Sequence, residues 1–238
     1  METEISFPYG DNFYNNAANY WSEIPPTVDG MLGGFGYISD TDIRSSRMLL
    51  KQIFQSKNPP GREYALDCGA DLVEQNPEFL QTAKTYLGSN IMDKKIGQMI
   101  PIGLQNFEPE PNKYNLVWIQ WVLGHLTDDH LVRFFNICQK SLKQNGIIIV
   151  KENVTSLNIV EVDEKDSSVT RPISYFKQLF EKSNLDCLRV VKQINLPPGL
   201  YPVYMFVLRP KKLKGEASQE ESQNNQEDSD ICKENLKN

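Results

Sequence analysis

The chain has 238 residues, a net charge of −6 and an isoelectric point near 5.1, which allows one domain of moderate size plus a tail. That acidity excludes the broad basic footprint of a general nucleic-acid binder but leaves room for a basic peptide partner at local acidic patches. With 39% hydrophobic and 10% aromatic residues a sizeable core can form, and there is no apolar run of the roughly 18 or more residues that a membrane-spanning helix needs.

The opening METEISFPYGDNF lacks the apolar stretch of a secretory signal. Residues 9 to 22 place Tyr9, Phe13, Tyr14, Ala17, Tyr20 and Trp21 at roughly helical spacing. Pro25-Pro26 ends that helix, and the glycine-rich turn DGMLGGFGYIS follows. Ser39-Asp40 reads as the N-cap of a helix running to about Phe54. From Tyr64 onward short strands and helices alternate. Strands are expected at 64–68, 98–102, 114–120, 146–151, 187–194 and 202–208, and helices at 77–88, 127–143 and 172–183. This alternation predicts an α/β fold with a mostly parallel sheet. The last two strands, joined around Asn195-Leu196-Pro197-Pro198-Gly199, form an antiparallel pair at its edge. After Arg209 the composition turns polar and aperiodic, as in a disordered tail. The expected divisions are a helical extension over 1–62, the α/β domain over 63–209 and the tail over 210–238.

Cys68, Cys138, Cys187 and Cys232 are scattered, which suits a reduced intracellular protein rather than a disulfide or zinc scaffold. His125 and His130 are five apart and do not share a helix face, so no metal site is expected. Asp67-Cys68-Gly69-Ala70 ends the first strand in a glycine turn where backbone can approach a ligand. Glu74 follows at the position that hydrogen-bonds ribose hydroxyls in nucleotide-binding α/β folds, or is a surface carboxylate. The buried run Tyr114–Ile119 leads directly into Gln120, Trp121 and His125, and ligands in such sheets sit at the carboxyl ends of strands. Thr127-Asp128 can cap the next helix. The strand from Gly146 exits through Asn153, which is expected level with Gln120. Asp163 to Arg171 forms a polar loop whose acids either cap the following helix or face a cationic substrate.

The segments NYWSEIPPTVDGMLGGFGYIS, ALDCGA, GLQNFEPEPNKYNLVWIQWVLGHLTDDHL, NGIIIVKENV and DSSVTR together resemble the protein α-N-terminal methyltransferase family, in order from about residue 12 to 209. The resemblance implies a Rossmann-like class I fold and S-adenosylmethionine as cofactor. It implies transfer of up to three methyl groups to protein N-termini beginning Xaa-Pro-Lys or Xaa-Pro-Arg, in the nucleus and cytoplasm. By the same resemblance Asp166 and His125 form the acid/base pair and Asn153 holds the amine. Tyr20, Trp21 and Trp121 wall the entry channel, and Leu32 shapes a lid. Asp163, with Asp166, attracts the third-position cation. Gly69, Glu74, Leu104, Gln105 and Gln120 match the family's cofactor positions, with Glu74 in place of an aspartate.

One departure stands out. The family continues its first strand as Gly-x-Gly-Ile-Gly-Arg or close to it, through a helix and a second strand, before the acidic ribose ligand. Here Ala70 adjoins Asp71-Leu72-Val73-Glu74. A parallel crossover takes about a dozen residues or more. The sheet is therefore expected to lack one strand and one helix, leaving apolar surface uncovered and the cofactor's methionine end poorly held. Three readings stay open: an alternative-splice form or gene-model error, an N-terminal-peptide binding module, and a weakly active enzyme. An impaired or inactive chain is the expectation. A small-molecule methyltransferase fits less well, because the PPTVDGMLGG segment matches a peptide lid.

Overall fold

A computed structural model describes Gly10, residues 12–68 and residues 73–211. The first helix, α1 (Phe13–Glu23), buries Phe13 and Ala17. It ends at Ile24, whose extended backbone is what a residue before proline adopts. The short α2 (Val28–Met31) is capped by Thr27, whose hydroxyl accepts the Gly30 N–H at 3.0 Å. Position 30 admits no side chain, because a Cβ would meet the Pro25 carbonyl oxygen at 2.2 Å. In α3 (Ser39–Phe54) the buried stripe is Asp42, Ser45, Leu49 and Ile53. Ser39 does not cap it. A 3-10 turn over Gly36–Ile38 feeds straight into the helix, so Ser39 lies inside the first turn.

Strand β1 (Ala65–Cys68) is followed by α4 (Pro77–Leu87), α5 (Ser89–Lys95) and β2 (Tyr114–Gln120). After α6 (Asp128–Ser141) the chain enters β3 (Leu142–Asn153), then a hairpin of β4 (Glu161–Asp163) and β5 (Ser168–Thr170). The last elements are α7 (Ile173–Lys182), β6 (Leu185–Lys192) and β7 (Val203–Pro210). The main sheet runs β1-β2-β3-β7-β6, with the first three strands parallel and β7 antiparallel to both neighbours. The continuous apolar run Ile147-Ile148-Ile149-Val150 is buried on both faces of the central strand, as helix-covered sheets require. On one face lies an aromatic cluster in which Phe206 sits 5.5 Å from the Phe176 ring and 5.3 Å from the Phe180 ring. The other face is closed by Leu49 and Ile53 of α3 against Ile147, Ile149 and Met205.

Several expectations are revised. The strand expected at 98–102 is reduced to one parallel bridge, Val73 to Ile100, with the Glu74 N–H donating to the Ile100 carbonyl at 3.2 Å. The segment 161–170 is a hairpin rather than a loop, and α5 was not foreseen. The acids of that hairpin do not cap α7, which starts after Pro172 with no side-chain cap. Asn153 is not level with Gln120, because Gln120 pairs with Lys151. The junction Gly69 to Leu72 and the polar tail from Lys212 onward lie outside the described residues. Among the described residues β1 is a sheet edge. Its Leu66 is nonetheless covered at 3% exposure, because Val73, at 1%, packs into the same core cluster.

Removing the Phe206 ring should cost about 3–5 kcal/mol. Phe206→Ala is thus expected to lower the urea midpoint clearly without changing the denaturant slope. An unchanged midpoint would contradict this aromatic core.

Candidate active site

A cleft of about 810 Å³ opens between the N-terminal helices and the carboxyl ends of β1 and β2. That volume is in the range of small-molecule and cofactor sites. It is where an α/β sheet binds ligands. Trp21, Leu32, Trp121 and His125 line it together with Glu74, Leu104, Gln105 and Gln120. Tyr20, Asn153, Asp163 and Asp166 do not line the cleft itself. Tyr20 packs edge-on against Trp21 at 5.4 Å, and the Lys165 ammonium of the hairpin turn lies 5.8 Å from its ring centre. Asn153 and Asp163 are exposed, and Asp166 is close enough for its charge to act on His125. Gly69 lies outside the described residues.

The segment 121–126 carries Trp121 and His125, and it is held from below. Trp121 takes a left-handed backbone, φ 52°, a conformation that costs a non-glycine residue free energy and persists only where the surroundings impose it. The Trp121 N–H donates to the Lys151 carbonyl at 3.0 Å, and the next two N–H groups, of Val122 and Leu123, both donate to the buried Glu152 carboxylate at 2.8 Å. Arg171, 1% exposed, donates to the Leu123 carbonyl at 2.9 Å, to the Leu126 carbonyl at 2.7 Å and to Asp128 at 2.8 Å. Gly124 lets the hairpin lie directly on this segment, since a Cβ there would meet the Val169 carbonyl at 3.0 Å. Burial pushes the Glu152 carboxyl up to about 7, against the two N–H bonds and the Arg171 charge that favour its ionised form.

Trp21 reaches from α1 to the His125 ring, its indole N–H donating to Nε2 at 3.1 Å. Burial holds the imidazole below the usual histidine range, against the opposing pull of Asp166, the Ser167 main chain and Asp163. Among the solvent-inaccessible side-chain atoms that lack a hydrogen-bond partner within the described residues are Nε1 of Trp121, Nδ1 of His125 and an Oδ of Asp166. Such atoms are costly unless something polar meets them.

On the cofactor side, Glu74 faces the cleft with its carboxyl raised by burial. One of its oxygens accepts the Asn76 N–H at 2.8 Å, while the Asn76 side chain donates to the Trp21 carbonyl at 3.2 Å. The carboxylate acceptor, the Gln105 amide and the apolar Leu104 fit the nucleoside end of an adenosyl cofactor. Gln120 is already engaged at both ends, donating to Asp42 at 3.0 Å and accepting from Trp118 at 3.1 Å. The Asp42 carboxylate also pairs with the fully buried Lys151 ammonium, so α3 is fastened to the ends of β2 and β3. Asp42, Lys151, Glu152 and Arg171 are functional supports that sequence reasoning missed. For Lys151, Glu152 and Arg171 the signal was a charged residue inside or beside an otherwise apolar strand, in VKEN and VTR, while Asp42 on α3 carried none.

The largely parallel sheet, the cleft at its strand ends and the buried acid Glu74 lining it fit a class I S-adenosylmethionine-dependent methyltransferase. The comparisons narrow the class. The model of the AdoMet-dependent proline di-methyltransferase family matches residues 10–209. The N-terminal Xaa-Pro-Lys N-methyltransferase 1-A of Xenopus laevis is 42% identical over 216 positions, covering 83% of this chain and 95% of the relative. The human N-terminal Xaa-Pro-Lys N-methyltransferase 1 is 43% identical, with the same coverage of both chains. A SAM-dependent methyltransferase from Leishmania major, of known structure, superposes with a TM-score of 0.76 at 33% identity over 83% of each chain. The chain belongs to the AdoMet-dependent proline di-methyltransferase family, and its cofactor is S-adenosylmethionine.

Glu152 gives a pH test. Its carboxyl is raised above the ordinary value in the folded state, so the folded chain binds more protons between about pH 4.5 and 7 and stability falls as pH rises through that window. Glu152→Gln should flatten that slope in thermal melts at a series of pH values. An unchanged slope would show that Glu152 is not held this way.

Proposed function

We propose that this chain recognises protein N-termini beginning Xaa-Pro-Lys or Xaa-Pro-Arg and methylates their α-amine, at a rate below that of its relatives. Three shielded and unpartnered atoms carry the reading: Trp121 Nε1, His125 Nδ1 and an oxygen of Asp166, whose charge acts on His125. A peptide amine entering beside Trp21 and Trp121 would meet these groups, and Asn153 stands on the adjoining strand end to hold it. The α-ammonium has a pKa near 8, so a carboxylate or a neutral imidazole suffices to remove its proton. The cofactor, when bound, supplies the electrophilic methyl group. Asp163 and Asp166 on the hairpin then face the cation at the third position.

The reduced rate follows from chain length. Four residues, Gly69 to Leu72, join β1 to Val73, where a parallel crossover takes about a dozen or more. The alignment with the Xenopus laevis relative spans 216 positions but takes in 83% of 238 residues, about 198, which supports a stretch of the relative with no counterpart here. If that stretch holds the carboxylate of the cofactor, losing one charge-assisted pairing of about 1.5–3 kcal/mol corresponds to roughly 10- to 150-fold in binding. A second reading, a peptide-binding module without turnover, is favoured by the survival of every described peptide-side residue.

The test is mass spectrometry on a Ser-Pro-Lys peptide with S-adenosylmethionine, run beside the Xenopus laevis relative. Stepwise methyl additions at about 10- to 100-fold lower rate are expected, and Asp163→Asn should weaken peptide binding by about tenfold. Equal rates would contradict the reduced cofactor side. No methylation with peptide binding retained would leave the binding-module reading standing.

A further inference from the structure

The hydrogen bond from Trp21 to His125 has a chemical consequence for which nitrogen can act. Indole Nε1 always carries its hydrogen and can only donate. The His125 atom it meets, Nε2 at 3.1 Å, must therefore present its lone pair. A neutral imidazole has one lone-pair nitrogen and one N–H, so the proton sits on Nδ1. Protonating Nε2 would set two N–H groups against each other, so this contact also disfavours the imidazolium. Nδ1 is the other shielded atom and lies on the side of the Ser167 main chain and Asp166, one of whose oxygens is likewise without a hydrogen-bond partner among the described residues.

We propose that Trp21 is a positioning residue that locks His125 as the neutral Nδ1–H tautomer, making it a donor and leaving Asp166 as the group that takes the proton from the substrate amine. This rests on the N-terminal methyltransfer reading above. In the proton-transfer step an N–H bond of the substrate ammonium breaks and an O–H bond forms on the Asp166 carboxylate. The electron pair remains on nitrogen for attack on the methyl group. His125 keeps its proton throughout and orients the carboxylate or the amine through Nδ1–H.

The geometry explains why this duty falls to α1. Trp21 is braced edge-on by Phe79 at 6.3 Å and by Tyr20 at 5.4 Å, and its carbonyl is tied to Asn76, which also binds the Glu74 carboxylate. The indole is thus fixed relative to both the ribose position and the base. The charged groups that act on His125 are Asp166 and Asp163, both on the hairpin.

The experiment is nitrogen-15 NMR of the imidazole rings in the full chain, alone and with a Ser-Pro-Lys peptide. Only two histidines occur, and His130 is distinguishable because its Nδ1 meets the Tyr14 hydroxyl. His125 is expected to show a protonated Nδ1 and a lone-pair Nε2 near neutral pH, with and without peptide. Trp21→Phe keeps the ring packing and removes the donor. It should let the Nε2–H form appear and raise the pH at which His125 protonates. A wild-type His125 in the Nε2–H or imidazolium form at neutral pH overturns the proposal, and so does a Trp21→Phe spectrum identical to wild type. The tautomer is read without turnover, so an inactive chain with the Nδ1–H form would count against the methyltransfer reading and not against this one.

Discussion

The guanidinium of Arg171 holds three stretches of chain at one buried point. It binds the carbonyls of Leu123 and Leu126, under the segment that carries Trp121 and His125, and the Asp128 carboxylate in the first turn of α6. Arg171 itself ends the hairpin that carries Asp163 and Asp166, and its main chain bridges to Val154, one residue beyond Asn153. A planar fork with five donors can do this where an ammonium cannot. Glu152 completes the arrangement from the other side, accepting the N–H groups that the left-handed Trp121 would otherwise leave buried and unmet. The segment that carries Trp121 and His125 and the end of the hairpin therefore meet at one buried pair of opposite charges. Burying such charges is unfavourable unless both are fully hydrogen-bonded, and here both are engaged on several sides.

A second buried pair, Lys151 with Asp42, plays the corresponding part for the N-terminal helices. It fastens α3 over the ends of β2 and β3, and Gln120 joins the same carboxylate. The roof of the cleft is thus anchored independently of β1 and the short connection after it. This is why a chain with only four residues between β1 and Val73 can keep the N-terminal helices seated over the cleft. The cofactor side rests on less: one bridge between Val73 and Ile100, and a Glu74 carboxylate already shared with Asn76.

Much of this was legible in the sequence, for physical reasons. The short β-branched run Ile147 to Val150, preceded by Asn145-Gly146, reads as an inner strand, and the spacing of Phe176, Leu179 and Phe180 reads as one helix face, so the sheet and its covering helices followed. The strand-end residues Trp121 and His125 were readable because polar groups after a buried strand fall at the mouth of the sheet. The hairpin over 161–170 was not, since two strands of three residues carry too little alternation to show above a polar loop. Lys151, Glu152 and Arg171 were missed because sequence pattern says that charges belong outside. Their burial is decided by partners dozens of residues away, such as Asp42 and Leu123. Asn153 lies two residues beyond the level of Gln120, which pairs with Lys151, because the register of β3 against β2 shifts between Tyr114 and Leu116, a break that the apolar pattern does not show.

The central claim is that the cleft still takes S-adenosylmethionine although its first crossover is short. Calorimetric titration of S-adenosylmethionine into the purified chain tests it most directly, with the Xenopus laevis relative titrated alongside. The account predicts saturable one-to-one binding, weaker than the relative's by about 10- to 100-fold. No binding by a chain that melts cooperatively would contradict it, as would affinity equal to the relative's.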